Sequence, residues 1–207
     1  MEPLNVTLKP WQDGFIFDEA KFKFLKSAWG TGKTLALILA GVRESEEYRN
    51  NLGVIFRKEF SDLRDSTIKD FEKYTGITVN SSREAKIGDS LIMFRHLEEM
   101  NNIQNMNLGW FGIEQGEELD SNDQFFKLHG RLRRDNSSRR GYVISNANGH
   151  NWIYKIKQNG IVDPKTGQRL DAHYSATTLD NSDILPEDFI NSMMILEKSK
   201  PSIFKRF

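Results

Sequence analysis

Apolar positions along the chain follow two periods, and the alternation between them predicts the layout. Short apolar runs at 53–57, 90–94, 110–113 and 141–145 read as strands. Residues 23–26 alternate charged and apolar side chains and read as a further short strand, and 172–176 as a last one. Between them the spacing turns helical. Leu35, Ile38, Leu39 and Val42 fall on one face, as do Phe60, Leu63, Thr67, Phe71 and Tyr74, with Gly76 as a C-cap. Residues 123–132 read as a helix, Trp152, Ile153 and Ile156 as a short one. Pro186 opens another, carrying Phe189, Ile190, Met193 and Leu196. Residues 1–20 show no clear period, and 163–167 read as a turn. Strands alternating with helices predict an α/β domain with a mainly parallel central sheet flanked by helices.

The strongest chemical signal is Ser27-Ala28-Trp29-Gly30-Thr31-Gly32-Lys33-Thr34. It follows a strand and precedes an amphipathic helix, as a phosphate-binding loop must. Gly30 and Gly32 permit backbone angles that let successive N–H groups converge on phosphate oxygens. Lys33 would reach the β- and γ-phosphates, and the Thr34 hydroxyl would ligate Mg²⁺. The helix that starts at Lys33 turns its positive end toward the same anion. Ser27 stands where the pattern has its first glycine, which works only if the angles there are ordinary.

Such a loop needs a carboxylate at the end of a neighbouring strand and a water-orienting group beside it. Glu114 ends the apolar run 110–113 and is the candidate for the metal. Gln115 cannot accept a proton, so the second role falls to Glu117 or Glu118, with Glu118 slightly preferred. Two strand-like segments, 53–57 and 90–94, lie between phosphate loop and second acid. That pattern points to the RecA-like branch of P-loop NTPases.

Composition narrows the field. The chain has 207 residues, enough for one domain with a core of its own. Lys plus Arg and Asp plus Glu both number 29, so the net charge is zero and an all-over polycation is excluded. Residues 126–140 nevertheless carry Lys127, Arg131, Arg133, Arg134, Arg139 and Arg140 against Asp135, six minus one, or +5. There is no cysteine, and the four histidines are widely spaced, so disulfides, thiolate metal sites and a histidine zinc site are not expected. No apolar run nears the roughly 20 residues of a membrane span. The first residues lack the pattern of a signal peptide. A soluble intracellular protein is expected.

With these pieces in this order, nearly the whole sequence resembles the ATPase domain of the large terminase subunit of tailed bacteriophages. The resemblance implies several roles. Trp11-Gln12 corresponds to the adenine-reading glutamine segment, and Ile113 to Leu119 to the second-acid segment, where many members carry Glu-Glu and Gln115 departs. The stretch 128–134 is similar to the family's arginine segment. Ser145-Asn146, followed by 151–154, resembles its coupling motif, which senses the γ-phosphate. Residues 177–181 with Leu185-Pro186 resemble the linker beyond the core, and 204–207 the start of a nuclease domain. The implied division is a core at 1–175 and a helical linker or lid segment at 176–207. No arginine lies within the phosphate loop, so an arginine finger would come from another subunit, with Arg131, Arg133 and Arg139 as candidates.

The implied activity is Mg²⁺-dependent ATP hydrolysis that drives viral double-stranded DNA into proheads, without nuclease activity. The implied partners are DNA held without sequence preference, the portal, the small terminase subunit and further copies in a ring. The isolated chain is expected to be a monomer, away from membranes, in the cytoplasm of the infected bacterial host. Two other readings stay open: another RecA-like ATPase such as a helicase or partition motor, and a nucleotide-binding module with weak hydrolysis. A helicase needs a second RecA-like domain, for which 207 residues leave no room.

Overall fold

In a computed structural model, residues 7–103 and 105–200 are described. Residues 204–207, assigned above to a following domain, lie outside them. Seven strands form one sheet in the order β3-β4-β2-β5-β6-β1-β7. They are β1 (Phe22–Ser27), β2 (Leu52–Arg57), β3 (Glu84–Ile87), β4 (Ser90–His96), β5 (Trp110–Ile113), β6 (Arg140–Asn146) and β7 (Asp171–Ala176). All neighbours pair in parallel except β3, which turns back on β4 as an antiparallel edge.

Both faces of the sheet are covered, so side chains alternate between two cores. Phe22, Phe24, Val54, Phe56, Phe111, Ile113 and Val143 point to one side. There they meet α6 (Asp123–His129) and α7 (Trp152–Asn159). Leu25, Ile55, Trp110, Tyr142 and Ile144 point to the other. They pack under α1 (Pro10–Phe17), α2 (Lys33–Glu47) and α4 (Lys69–Thr75). Short α3 (Phe60–Asp62) precedes α4, α5 (Met100–Ile103) precedes β5, and α8 (Glu187–Ser199) follows β7.

Four predicted features change. Helix α1 emerges from the aperiodic N-terminal stretch. At eight residues it buries only Gln12, Phe15 and Ile16, too few to repeat a period. Strand β3 is a four-residue edge whose apolar content is Ala85 and Ile87. The stretch 60–75 is broken by a π-helical turn, Leu63–Ile68, between α3 and α4. The helix expected over 123–132 ends at His129, because Arg131 leaves it to accept a hydrogen bond from Leu108 N–H through its carbonyl at 2.8 Å. The charged alternation of β1 also has a different cause from a solvated face. Lys23 is fully buried, and its ammonium donates to the carbonyls of Ile16 (3.1 Å) and Asp18 (2.6 Å) at the end of α1.

The strand order places the chemistry. Strand β6 separates β1 from β5, while β2 and β4 lie beyond β5. In space the strand between the phosphate-loop strand and the strand of the second acid is the sequence-late β6, and not the 53–57 or 90–94 segment that lies between them in sequence. Because β1, β2, β5 and β6 run parallel, their C-terminal ends line one edge, where ligands bind in open α/β sheets.

Candidate nucleotide site

Ser27 ends β1, and the chain turns through 28–32 into α2. Gly30 and Gly32 have φ of +72° and +84°, left-handed angles that glycine adopts without strain. Ser27 is not among the left-handed residues, so a side chain is tolerated there. Its hydroxyl meets that of Thr31 at 2.8 Å, and Thr31 also donates to the Ala28 carbonyl at 3.1 Å. These bonds close the loop from within. Lys33, mostly buried, donates to the Ala28 carbonyl at 3.3 Å. Burial pushes its pKa down, opposed by the negative charge of Glu117 first and Glu114 second. Gln12 sits against the loop: its amide lies 3.4 Å from the Gly32 carbonyl, and its Oε1 accepts from Lys9 N–H at 2.9 Å. Trp11 is half-buried beside it, its indole nitrogen without a partner among the described residues.

Glu114 follows β5 and is 3 % exposed. The Thr34 hydroxyl donates to its Oε1 at 2.7 Å, joining the two expected metal ligands across the strand ends. A hydroxyl and a carboxylate are the hard oxygen donors that Mg²⁺ takes beside substrate phosphates. A P-loop metal of this kind needs no all-protein cage, and no group of three or more His, Cys, Asp or Glu occurs among the described residues. The residues present fit the ion.

The two following acids separate. Gln115, at φ +53°, turns the chain into the 3-10 turn Gly116–Glu118. The Asn146 amide at the end of β6 donates to Gln115 Oε1 at 2.7 Å and to Glu117 Oε1 at 2.6 Å. Glu117 thus lies between Asn146 and Lys33. Its Oε2 and the Asn146 Oδ1 are buried with no partner among the described residues. Burial raises the Glu117 pKa, partly offset by its bonds to Asn146 and by Lys33. Glu118 turns instead to Arg57, 3.6 Å away, and burial raises its pKa against that guanidinium. Ser145, buried in β6, registers with Lys26 of β1 next to the Ser27–Asn146 pair.

Arg57 and Thr67 belong to this site and were not picked out from sequence. Arg57 ends β2, the neighbour of β5, and Nη1 lies 3.8 Å from Glu114 Oε2. Thr67, in the π-helical turn, donates to the same oxygen. A charged residue closing the apolar run 53–57 was the available signal for Arg57. Thr67 had none beyond a place on a helical stripe.

The arginine segment stands elsewhere. Strand β6 begins at Arg140 and reaches the site only at Asn146. Seven residues at roughly 3.3 Å each put Arg139 about 23 Å from Asn146, at the far edge of the sheet from the chain's own phosphate loop. Arg131 and Arg133 lie beside Leu108, just ahead of β5, on that same far edge. Arg140 is buried against Glu44 and Glu19. Arg134 donates to the Asn50 carbonyl at 2.7 Å, and Arg139 to the Arg134 carbonyl at 3.0 Å and to Asp135 at 3.3 Å. Arg134, Arg139 and Arg140 are therefore bound within the chain, and Arg133 is exposed.

A family model described as phage terminase large subunit matches residues 19–207. The PBSX phage terminase large subunit of Bacillus subtilis (strain 168) is 22% identical over 228 aligned positions, covering 96% of this chain. The chain spans about half, 51%, of that relative's length. Among solved structures, the large terminase ATPase domain of Thermus phage P74-26 superposes with a TM-score of 0.67 at 14% identity, over 98% of this chain and 93% of that one. The large terminase of a thermophilic bacteriophage, in complex with ATP-gamma-S, gives 0.73 at 11% identity, over 96% and 51%. The mainly parallel sheet flanked by helices accords with that fold, and with the family model covering residues 19–207 the chain belongs to the phage terminase large subunit family.

Proposed function

We propose that this chain binds ATP and Mg²⁺ at Ser27–Thr34 and hydrolyses ATP to drive double-stranded DNA into proheads. The observation that carries the reading is the Thr34–Glu114 hydrogen bond at 2.7 Å beside a loop whose two glycines take left-handed angles. Bound Mg²⁺ would neutralise charge developing on the β- and γ-phosphate oxygens. Thr34 and Glu114 would hold it, Lys33 would supply fixed positive charge to the same oxygens, and the loop N–H groups would bind the anion. In this reading the adenine edge falls to Gln12, which lies against the loop at Gly32, with Trp11 beside it.

Glu117 is the better candidate to orient the attacking water. It couples to Lys33 and is held by Asn146, whereas Glu118 faces Arg57. This reverses the slight sequence preference for Glu118. Asn146 touches both Gln115 and Glu117, so departure of the γ-phosphate can reach β6 through one side chain, with Ser145 beside it. The far-edge arginines support action in trans on a neighbouring copy.

The division into a core at 1–175 and a lid segment at 176–207 draws support from contacts onto the loop. Thr178 donates to the Trp29 carbonyl at 2.9 Å and Asn181 to that of Gly30 at 2.7 Å. DNA, the portal, the small terminase subunit and a ring of copies are the partners of this reading, in the cytoplasm of the infected bacterial host. Among the described residues no helix is long and apolar enough to cross a membrane.

Phosphate release measured over a series of protein concentrations, with and without duplex DNA, tests it. Release that requires Mg²⁺ is expected. Glu117→Gln should lower it by roughly 10²–10⁴-fold, the span of a lost proton-accepting group, and Glu118→Gln by far less. No release under any condition refutes the hydrolytic reading, and the reverse order of the two variants refutes the assignment of Glu117.

A further inference from the structure

A carboxylate that serves a metal through water must keep one orientation, yet the terminal torsion of a glutamate is broad and roughly two-fold. A single hydrogen bond, from Thr34 to Oε1, leaves the second oxygen of Glu114 free to swing. Two residues outside the phosphate loop restrain it. Thr67, wholly buried, donates its hydroxyl to Oε2. The Arg57 guanidinium, 7 % exposed, sits 3.8 Å from that oxygen and balances its charge.

The same two residues are tied to the π-helical turn Leu63–Ile68. Arg57 Nη1 lies 3.4 Å from the Asp62 carbonyl, and Nη2 3.5 Å from the Asp62 carboxylate, immediately before the turn. Thr67 stands near its end. Thr67 and Phe71 are both buried, one on the polar site and one in the apolar core against Phe94. The wider turn lets one short helical arm serve both. π-helical turns recur at functional sites.

We propose that Thr67 and Arg57 are positioning residues for the Mg²⁺ site: they fix the Glu114 carboxylate, and the π-helical turn exists to bring Thr67 to it. This rests on the reading of Glu114 as a metal-site acid. Residues that orient a metal-serving carboxylate set metal affinity, and their loss costs roughly 10–100-fold in it. A merely structural Thr67 would alter the stability of the fold and nucleotide binding with and without metal alike.

The test is a titration of MgCl₂ into the full chain with a fluorescent ATP analogue, reading nucleotide affinity rather than turnover. A parallel measurement in EDTA gives the metal-free affinity. Thr67→Val removes the hydroxyl and keeps the shape. It should raise the Mg²⁺ midpoint by about tenfold or more and leave the EDTA affinity within about twofold. Thr67→Ser should restore the midpoint to within about threefold of wild type. Arg57→Gln should raise the midpoint too, which carries the test if Thr67→Val does not fold. The proposal is overturned by a Thr67→Val midpoint equal to wild type, by an equal loss in EDTA, or by a Thr67→Ser variant as impaired as Thr67→Val. A wild-type affinity indifferent to Mg²⁺ overturns the ATPase reading itself, a result distinct from these.

Discussion

Glu44 is completely buried on α2, about 16 Å along the helix from Lys33 at 1.5 Å per residue. Its Oε1 accepts from the Tyr142 hydroxyl at 2.7 Å and lies 3.5 Å from Arg140 Nη1. Its Oε2 accepts from Ser138. Replacing it with alanine strands two hydroxyls and removes one counter-ion from a buried guanidinium. Breaking a buried pair by deleting one partner costs about 3–5 kcal/mol. Arg140 keeps Glu19, which is itself well exposed, so the lower end of that range applies, about 3 kcal/mol. At about 2–4 °C per kcal/mol for a domain of this size, Glu44→Ala should lower Tm by roughly 6–12 °C. Thermal denaturation followed by circular dichroism reads it. Arg140→Met in the same chain should recover at least about 1 kcal/mol relative to additivity, because the orphaned cation is then gone. A fall below about 3 °C, or strict additivity in the double variant, would refute the claim that an uncompensated charge sets the cost. Nucleotide affinity should stay within about twofold, since the network lies at the opposite edge of the sheet from the phosphate loop.

Gly32→Ala forces a side chain to φ +84° and sets its Cβ 3.2 Å from the Gln12 amide nitrogen. Nucleotide binding measured by calorimetry should be lost, while backbone strain of about 1–2 kcal/mol leaves the fold intact. Burial lowers the Lys23 pKa to about 8, helped by Arg140 and opposed by Glu44. The folded state therefore releases this proton before the unfolded state does. The penalty is fully present below about 8 and fades as pH rises toward the unfolded value near 10.5. Wild-type Tm minus that of Lys23→Met should accordingly rise between pH 8 and 10, and a flat or falling difference contradicts the assignment. Arg133→Ala should keep nucleotide affinity within about twofold yet abolish any increase of phosphate release with protein concentration, and release that still climbs would remove Arg133 as a finger acting between copies.

What sequence revealed and what it concealed divide along contact order. The phosphate loop is local: strand, two glycines, Lys33, Thr34 and helix all lie within one stretch, so residue identity and order suffice. Strands β2, β5 and β6 were legible because each is an apolar run buried on both faces, whereas the edge strand β3, with only Ala85 and Ile87, was not. Glu114 was legible by its place after such a run. The partners of Glu114 were not. Arg57 precedes it by 57 residues and Thr67 by 47, and only the order β2-β5-β6-β1 brings β2 beside it. A regular helical stripe also misled, since Leu63, Thr67 and Phe71 at spacing four suggest an unbroken α-helix. The π-helical turn alters the phase inside that stripe. The choice between Glu117 and Glu118 was undecidable for the same reason. Adjacent residues in a tight turn point apart, and which faces Lys33 depends on Asn146 and Arg57, each supplied by a different strand. Long-range pairing thus selects roles among residues that local chemistry leaves equivalent, and the acid that finds Lys33 and Asn146 is set by the sheet order rather than by the run Gly116-Glu117-Glu118 itself.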